Sequence, residues 1–268
     1  MRLTRHTVLV AVVTIALLVF FFRQADLGGV WRALVTADPS LLLASLAITA
    51  QTYIIRTWRW QILLSPIERL PFLPVLRAMI VGFTTIFLLP ARAGELIRPW
   101  MLSRETNVSA SAAFATVIVE RLFDLVAVLT LFCVWRLLPV PEGAVEIEGV
   151  TAAAILAAAL GAMALAVTFL LAGHAERVGT FATMLARVLP ARAATAIVTF
   201  VQKFARGLAV MRRPGPIVAA LALSLALWTS IGVSTWVTSR AFGITFPFPA
   251  SFLISMFIVV GVAVPTQG

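Results

Sequence analysis

Apolar runs at 7–22, 41–64, 74–89, 108–138, 151–172, 216–239 and 251–264 follow one another along the chain, with arginines gathered in the connections between them. A hydrocarbon core about 30 Å thick demands ~20 apolar residues of each helix that crosses it. The pattern therefore predicts an all-α polytopic membrane protein with about six to eight spanning or half-spanning segments. The runs differ in kind. The first follows Arg2 and Arg5, is closed by Arg23 and lacks a small-x-small cleavage site after it, which predicts an uncleaved signal anchor. Residues 25–38 form a short polar–apolar connection. Pro39 opens the second run, whose end carries Arg56, Trp58, Arg59 and Trp60, residue types of a cytoplasmic membrane interface. The third run has only 16 residues and stops at Pro90. Gly82 and Pro90 suit a broken, re-entrant segment, which a membrane accepts only where irregular backbone lines a cavity or lies within protein. Residues 174–213 instead set Phe181, Leu185, Val188 and Leu189, then Ile197, Phe200, Val201, Phe204 and Leu208, at helical spacing among seven basic residues and one acid, Glu176. That spacing predicts one or two basic amphipathic helices on the inner leaflet, or an ordinary cytoplasmic helical hairpin.

Composition agrees. Hydrophobic residues make up 61% of the chain and charged residues 12%, and the mean hydropathy is +1.04. A soluble domain is nearer half apolar and a quarter charged. The 268 residues read as one transmembrane domain, expected to be truncated at its C-terminus, with 174–213 as a cytoplasmic segment inside it. One cysteine, Cys133, excludes a disulfide or a Cys-built metal site within one chain. His6 and His174 lie beside basic segment ends, so no metal or cofactor is expected. The net charge of +10 rests on 20 arginines and Lys203. These cluster in connections and build no aromatic-interleaved basic platform, so no nucleic-acid partner is expected. The positive-inside rule and anionic lipid explain the excess. A threading with a cytoplasmic N-terminus and a re-entrant third run puts 16 basic residues inside, four outside (Arg23, Arg32, Arg136, Arg240) and Arg121 in the membrane. It also puts the acid-only loop 139–149, with Glu142, Glu146 and Glu148, outside.

Inside the run 108–138 sits a charged knot, Glu120-Arg121-Leu122-Phe123-Asp124, flanked by uncharged residues from 109 to 119 and from 125 to 135. One unpaired ionisable group near a bilayer centre costs roughly 2.5–3.5 kcal/mol on insertion scales. Three are tolerable only if they face protein or a wet cavity and neutralise one another. Glu120 and Asp124 share a helix face, with Arg121 about 100° away and held by them. Two readings stay open here: a structural clasp between helices, or a polar site for a charged substrate. Arg56, Arg59, Arg92 and Arg98 favour the second, because planar guanidinium groups grip phosphate oxygens two at a time. Gathered at the mouth of a re-entrant loop, with the tight turn of Gly94-Glu95 after Pro90-Ala91-Arg92, they would make an electropositive vestibule. Topology marking suffices for Arg69, Arg77 and Arg104. A short symmetry also shows: 83–94 and 257–268 both run aromatic, aliphatic, then break, at Pro90 and Gly94 and at Pro265 and Gly268. Interrupted segments of opposite sense predict an inverted-repeat carrier with two re-entrant hairpins.

Arg56-x-x-Arg59-Trp60, then Leu89-Pro90-Ala91-Arg92-Ala93-Gly94-Glu95-x-x-Arg98, then Val119-Glu120-Arg121-Leu122-Phe123-Asp124 resemble the lysylphosphatidylglycerol synthase transmembrane-region family, also described as flippase-like integral membrane proteins. The resemblance runs over nearly the whole chain. It implies a helical bundle with re-entrant hairpins and lipid translocation, as in the membrane half of aminoacyl-phosphatidylglycerol synthases. Two departures bear on it. These 268 residues hold no soluble aminoacyl-transfer domain, so synthase activity is not expected of them. The family's second motif, Pro before a Gly-Gly pair, reads Pro265-Thr266-Gln267-Gly268 here. The expected role is transporter-like rather than enzymatic: moving an anionic or polyprenyl-phosphate-linked lipid across a bacterial-type plasma (inner) membrane. Its expected partners are membrane lipids with anionic headgroups, together with a separate synthase or a second copy. The expected substrate-binding residues are Arg56, Arg59, Arg92, Glu95, Arg98, Glu120, Arg121 and Asp124. The alternatives are a membrane-embedded lipid-modifying glycosyltransferase and an accessory subunit of a separate lipid synthase. For the glycosyltransferase, the acids of 139–149 lie in a Pro/Gly loop without a nearby His or Asp.

The threading is tested by cysteine labelling in intact cells. A probe at Glu146 should react with an impermeant reagent and one at Arg187 should be protected; the reverse pattern contradicts the orientation.

Overall fold

The computed structural model describes residues 26–88, 94–137, 150–174 and 190–263, with isolated positions at 12, 19–20, 180 and 183–184. These residues form nine α-helices: α1 Leu27–Thr36, α2 Pro39–Leu64, α3 Phe72–Leu88, α4 Gly94–Glu105, α5 Ala110–Leu137, α6 Val150–Gly173, α7 Ala191–Gly207, α8 Pro214–Ala241 and α9 Ala250–Ala263. A 3₁₀ turn, Leu208–Arg212, joins α7 to α8. No strand occurs among the described residues, and the protein is an all-α, multi-pass membrane protein. The first apolar run 7–22 lies outside these residues but for three isolated positions, and Pro90, Arg92, the loop 139–149 and the break at Pro265 and Gly268 lie outside them altogether.

Local chemistry sets the ends. Asp38 caps α2, its Oδ1 accepting from Ser40 N at 2.8 Å and Leu41 N at 3.3 Å, with Pro39 opening the helix. The Ser40 hydroxyl, also bonded to this carboxylate, and the two backbone N–H groups hold Asp38 below the usual aspartate range. At the far end of α8, Gly243 adopts φ +74°, open to glycine at no steric cost. The Gly243 and Ile244 N–H groups donate back to the Arg240 and Ser239 carbonyls. Within the polar–apolar connection, residues 27–36 form a helix bent 90° from α2. Asp26 caps it, and Leu27, Val30, Trp31 and Leu34 line one exposed face at i, i+3, i+4 and i+7. Bent in this way, α1 and α2 form either one broken span or a span with a surface helix at its start.

α5 is the centre. It packs against α2, α4, α6, α7, α8 and α9. α2 and α8 run antiparallel in the most extensive of the helix pairs, pinned where Asp38 N donates to the Ala241 carbonyl at 2.9 Å. Trp60, Leu63, Leu64, Val75, Met79 and Leu102 form the main apolar core beside α5, and Val128, Phe132, Trp228 and Met256 form a smaller one. α6 leaves Ile155, Leu160, Met163, Val167 and Leu170 exposed, and Gly161 lets it approach Leu125 of α5. By length and apolarity, Ile155–Gly173, Ala193–Arg212 and Pro214–Ala241 are able to cross a membrane, as is the bent α1–α2 pair taken as one span. α5 carries three ionisable residues in mid-helix, and the burial of Glu120 and Asp124 among arginine partners is what reconciles its length with a lipid surround.

The amphipathic segment is seated more deeply than its sequence implies. Ile197 and Phe200 are exposed, but Ala205, Leu208 and Val210 are buried, Phe204 faces Phe114 of α5, and Gly207 sits on the Ala112 carbonyl. Protein rather than lipid covers its C-terminal half.

α3 and α4 form an antiparallel hairpin whose helices touch backbone to backbone. A Cβ at Gly94 would collide with the Gly82 carbonyl oxygen, and one at Gly82 would lie 2.6 Å from Arg98 Cβ. Gly94→Ala should therefore destabilise the protein by roughly 1–3 kcal/mol through overpacking. Gly173→Ala, with open space around it, should be near neutral or slightly stabilising. Thermal unfolding in detergent checks the contrast, and equal melting points would contradict the close crossing.

Candidate functional site

Where α2, α4, α5 and α8 meet, ionisable groups from three helices close on one another inside the apolar bundle. Glu120 of α5 is fully buried and accepts a bidentate pair from Arg98 of α4: Nη2 to Oε2 at 2.5 Å and Nη1 to Oε1 at 3.2 Å. Its Oε1 also meets Arg59 Nη2 of α2 at 2.9 Å and Arg121 Nη2 at 3.1 Å. One turn on, Asp124 accepts from Arg59 Nη1 and from the Trp228 indole N–H of α8 at 3.0 Å. Ser224 of α8 gives its own proton to the Ala220 carbonyl and accepts from Arg59 Nη1 at 2.7 Å. Arg98 also stacks 3.9 Å from the Trp60 ring, whose N–H is spent on Thr116 at 2.9 Å. Each carboxylate oxygen is thus met by a charged donor. This saturation offsets the several kcal/mol per ion that burial costs.

The expected site residues are brought together in part. Arg59, Arg98, Glu120 and Asp124 form the core. Arg121 stands at the rim with its side chain 36% exposed, touching Glu120 and lying 3.5 Å from Asp124, so the acids serve chiefly the arginines of other helices. Arg59 does not mark an interface: it is completely buried. Arg56, one turn earlier, is half-buried over the Phe83 ring at 4.7 Å and bonds to neither acid. Glu95 lies at the start of α4 within electrostatic range of Arg121. Arg92, Pro90, Pro265 and Gly268 fall outside the described residues, and Gly94 fixes the hairpin crossing. Ser224, Trp228 and the stacking role of Trp60 were not foreseen. Ser224 and Trp228 lie at i,i+4 in an uncharged run, a signal only once a charged partner is known to face them.

In direct contact three arginines meet two carboxylates, Glu120 and Asp124, and a third acid, Glu95, lies within electrostatic range of Arg121. The Nε–H groups of Arg59, Arg98 and Arg121 are buried without an acceptor among the described residues. Chemically the arrangement locks helices together and leaves three cationic donors buried without an acceptor among the described residues.

The sequence model of a family described as "Lysylphosphatidylglycerol synthase TM region" matches residues 8–266. The chain is 30% identical over 132 residues to "Glycosyltransferase AglD" of Haloferax volcanii, covering 47% of this chain and 21% of that protein. It is 29% identical over 132 residues to a "UPF0104 membrane protein" of Methanothermobacter thermautotrophicus, covering 47% of this chain and 36% of the other. A "UPF0104 membrane protein MJ1078" of Methanocaldococcus jannaschii is 46% identical over 44 residues, 16% of this chain and 19% of the other. The matched part of the chain thus spans about a fifth to a third of these curated relatives. No solved structure matches it.

Removing one member of the cluster strands the rest. Arg59→Leu should cost roughly 3–5 kcal/mol of stability, while Arg59→Leu combined with Asp124→Leu should cost less than the sum of the two single changes. Denaturant titration in detergent reads this, and additive costs would contradict the coupling.

Proposed function

This chain belongs to the lysylphosphatidylglycerol synthase TM region family, and from that premise we propose that it is a lipid translocase, a flippase-like carrier for lipids with anionic or polyprenyl-phosphate-linked headgroups. One observation carries the reading. The buried cluster holds more guanidinium than carboxylate, and three of its Nε–H donors lack an acceptor among the described residues. A purely structural clasp is best served by matched charges and satisfied donors. A surplus of rigid cationic donors suits phosphate oxygens that come and go. Arg121, at the exposed rim, is the member best placed to meet a headgroup first, and the α3–α4 hairpin, with Arg92 between its helices in sequence, would line the approach. An inner-membrane location with a cytoplasmic N-terminus belongs to the same proposal.

A second reading, lipid modification, draws support from the relative named a glycosyltransferase, whose matched part is 21% of its length. A third, an accessory role, would need a separate synthase.

A headgroup-accessibility assay in proteoliposomes, with a panel of anionic and polyprenyl-phosphate lipids, separates the three. Translocation should require the protein, favour anionic headgroups and slow roughly tenfold or more in Arg121→Gln, a rim change that should lower the melting point less than Arg59→Leu does. Protein-dependent change in lipid mass would favour modification, and movement only with a synthase added would favour the accessory role. No movement of any lipid tested would contradict translocation.

A further inference from the structure

Beside the cluster, but apart from it, lies a cavity of about 450 Å³ between α2, α3 and α8. Its one charged wall residue among the described ones is Arg56. The guanidinium is held over Phe83, itself braced edge-on by Tyr53 at 5.7 Å, and forms no hydrogen bond or ion pair with another described residue. The remaining polar wall is hydroxyl, from Tyr53 and from the serine and threonine side chains of α2 and α8.

The direction of these hydroxyls is informative. Thr49 donates to the Ser45 carbonyl at 2.9 Å, Thr52 to Thr49 at 2.7 Å, Thr235 to Ile231 at 2.9 Å and Ser239 to Thr235 at 2.9 Å. Their protons are spent on their own helices, so they offer lone pairs to the cavity. The chamber therefore combines one fixed cationic donor with a bank of neutral acceptors. A phosphate fits the first, and a substituent rich in O–H donors fits the second. An ammonium substituent would satisfy the acceptors too, but would sit beside Arg56 with no carboxylate on the wall to balance it. The chamber and the cluster share one face of α2. Ser45, Thr49, Thr52, Arg56 and Arg59 follow at i, i+4, i+7, i+11 and i+14 along α2, about 21 Å of one helix face. Ser45 meets Ser234 at 3.0 Å and Thr238 at 2.5 Å across the α2–α8 seam, and Arg59 meets Ser224 farther along it.

We propose that the Arg56 chamber binds the phosphodiester of a lipid whose headgroup is an uncharged polyol, with Arg56 on the phosphate and the α2–α8 hydroxyls on the polyol. The site rests on the translocase reading for its biological use, though not for its chemistry.

Calorimetric titration of the purified full chain in detergent tests it, with dihexanoylphosphatidylglycerol, dihexanoylphosphatidylethanolamine and glycerol 3-phosphate as probes. The glycerol lipid should bind most tightly. Arg56→Gln should weaken it roughly 10- to 100-fold, the loss of a charge-assisted hydrogen bond. Arg56→Lys, which keeps the charge, should fall between the two. Thr49→Val with Thr235→Val should narrow the preference for glycerol over ethanolamine. Equal affinity for the two lipids, or undiminished binding in a folded Arg56→Gln, would overturn the proposal. If Arg56→Gln does not fold, Arg56→Lys and the threonine pair decide it. Glycerol 3-phosphate binding as tightly as the lipid would overturn the lipid assignment in favour of a soluble phosphate. Binding without translocation in liposomes would contradict the carrier reading and leave this site standing. Translocation that survives loss of binding would do the reverse.

Discussion

Two carboxylates and three guanidinium groups lie within an apolar bundle, where one unpaired charge costs several kcal/mol. That cost fixes the arrangement around them. Glu120 and Asp124 on one face of α5 need partners that α5 alone does not supply, so Arg59 and Arg98 must arrive from α2 and α4, while Trp228 and Ser224 must face them from α8. The close Gly82–Gly94 crossing follows from the same demand, because it sets Arg98 at the level of Glu120. Electrostatic closure and helix packing here are one constraint seen twice.

That constraint distinguishes two kinds of arginine in the site. Arg59 and Arg98 are spent on carboxylates and stacked or hydrogen-bonded from the remaining side. Arg121 pairs with the same acids from the half-exposed rim, whereas Arg56 pairs with neither and faces a hydroxylated cavity. A cluster of this form rigidifies the bundle, and under the proposed translocase reading its guanidinium groups would hold a phosphate briefly in a low dielectric.

Hydrophobic run lengths made most of the helices legible: 151–172, 216–239 and 108–138 match α6, α8 and α5 within a few residues. The charged knot on α5 was legible for the same reason, since ionisable residues in hydrocarbon demand partners. What stayed hidden was who those partners are. Arg59 beside Trp58 and Trp60 has the composition of an interface, and only the α2–α5 packing reveals it as the central cation. Residues 27–36 were too short and too glycine-containing to stand out as a helix until Asp26 is seen capping them. The hydroxyl seam of Ser45, Thr49 and Thr52 was visible as a spacing, but serine and threonine are common on helices and acquire meaning only when α8 presents matching hydroxyls.

The central claim is that Glu120 holds the α3–α4 hairpin against the bundle through Arg98. Hydrogen–deuterium exchange of the backbone at 94–105, compared between the unaltered chain and Glu120→Gln, measures it directly. The account predicts much faster exchange across α4 in the variant, with α6 unchanged. Exchange at 94–105 that is identical in the two proteins would contradict it.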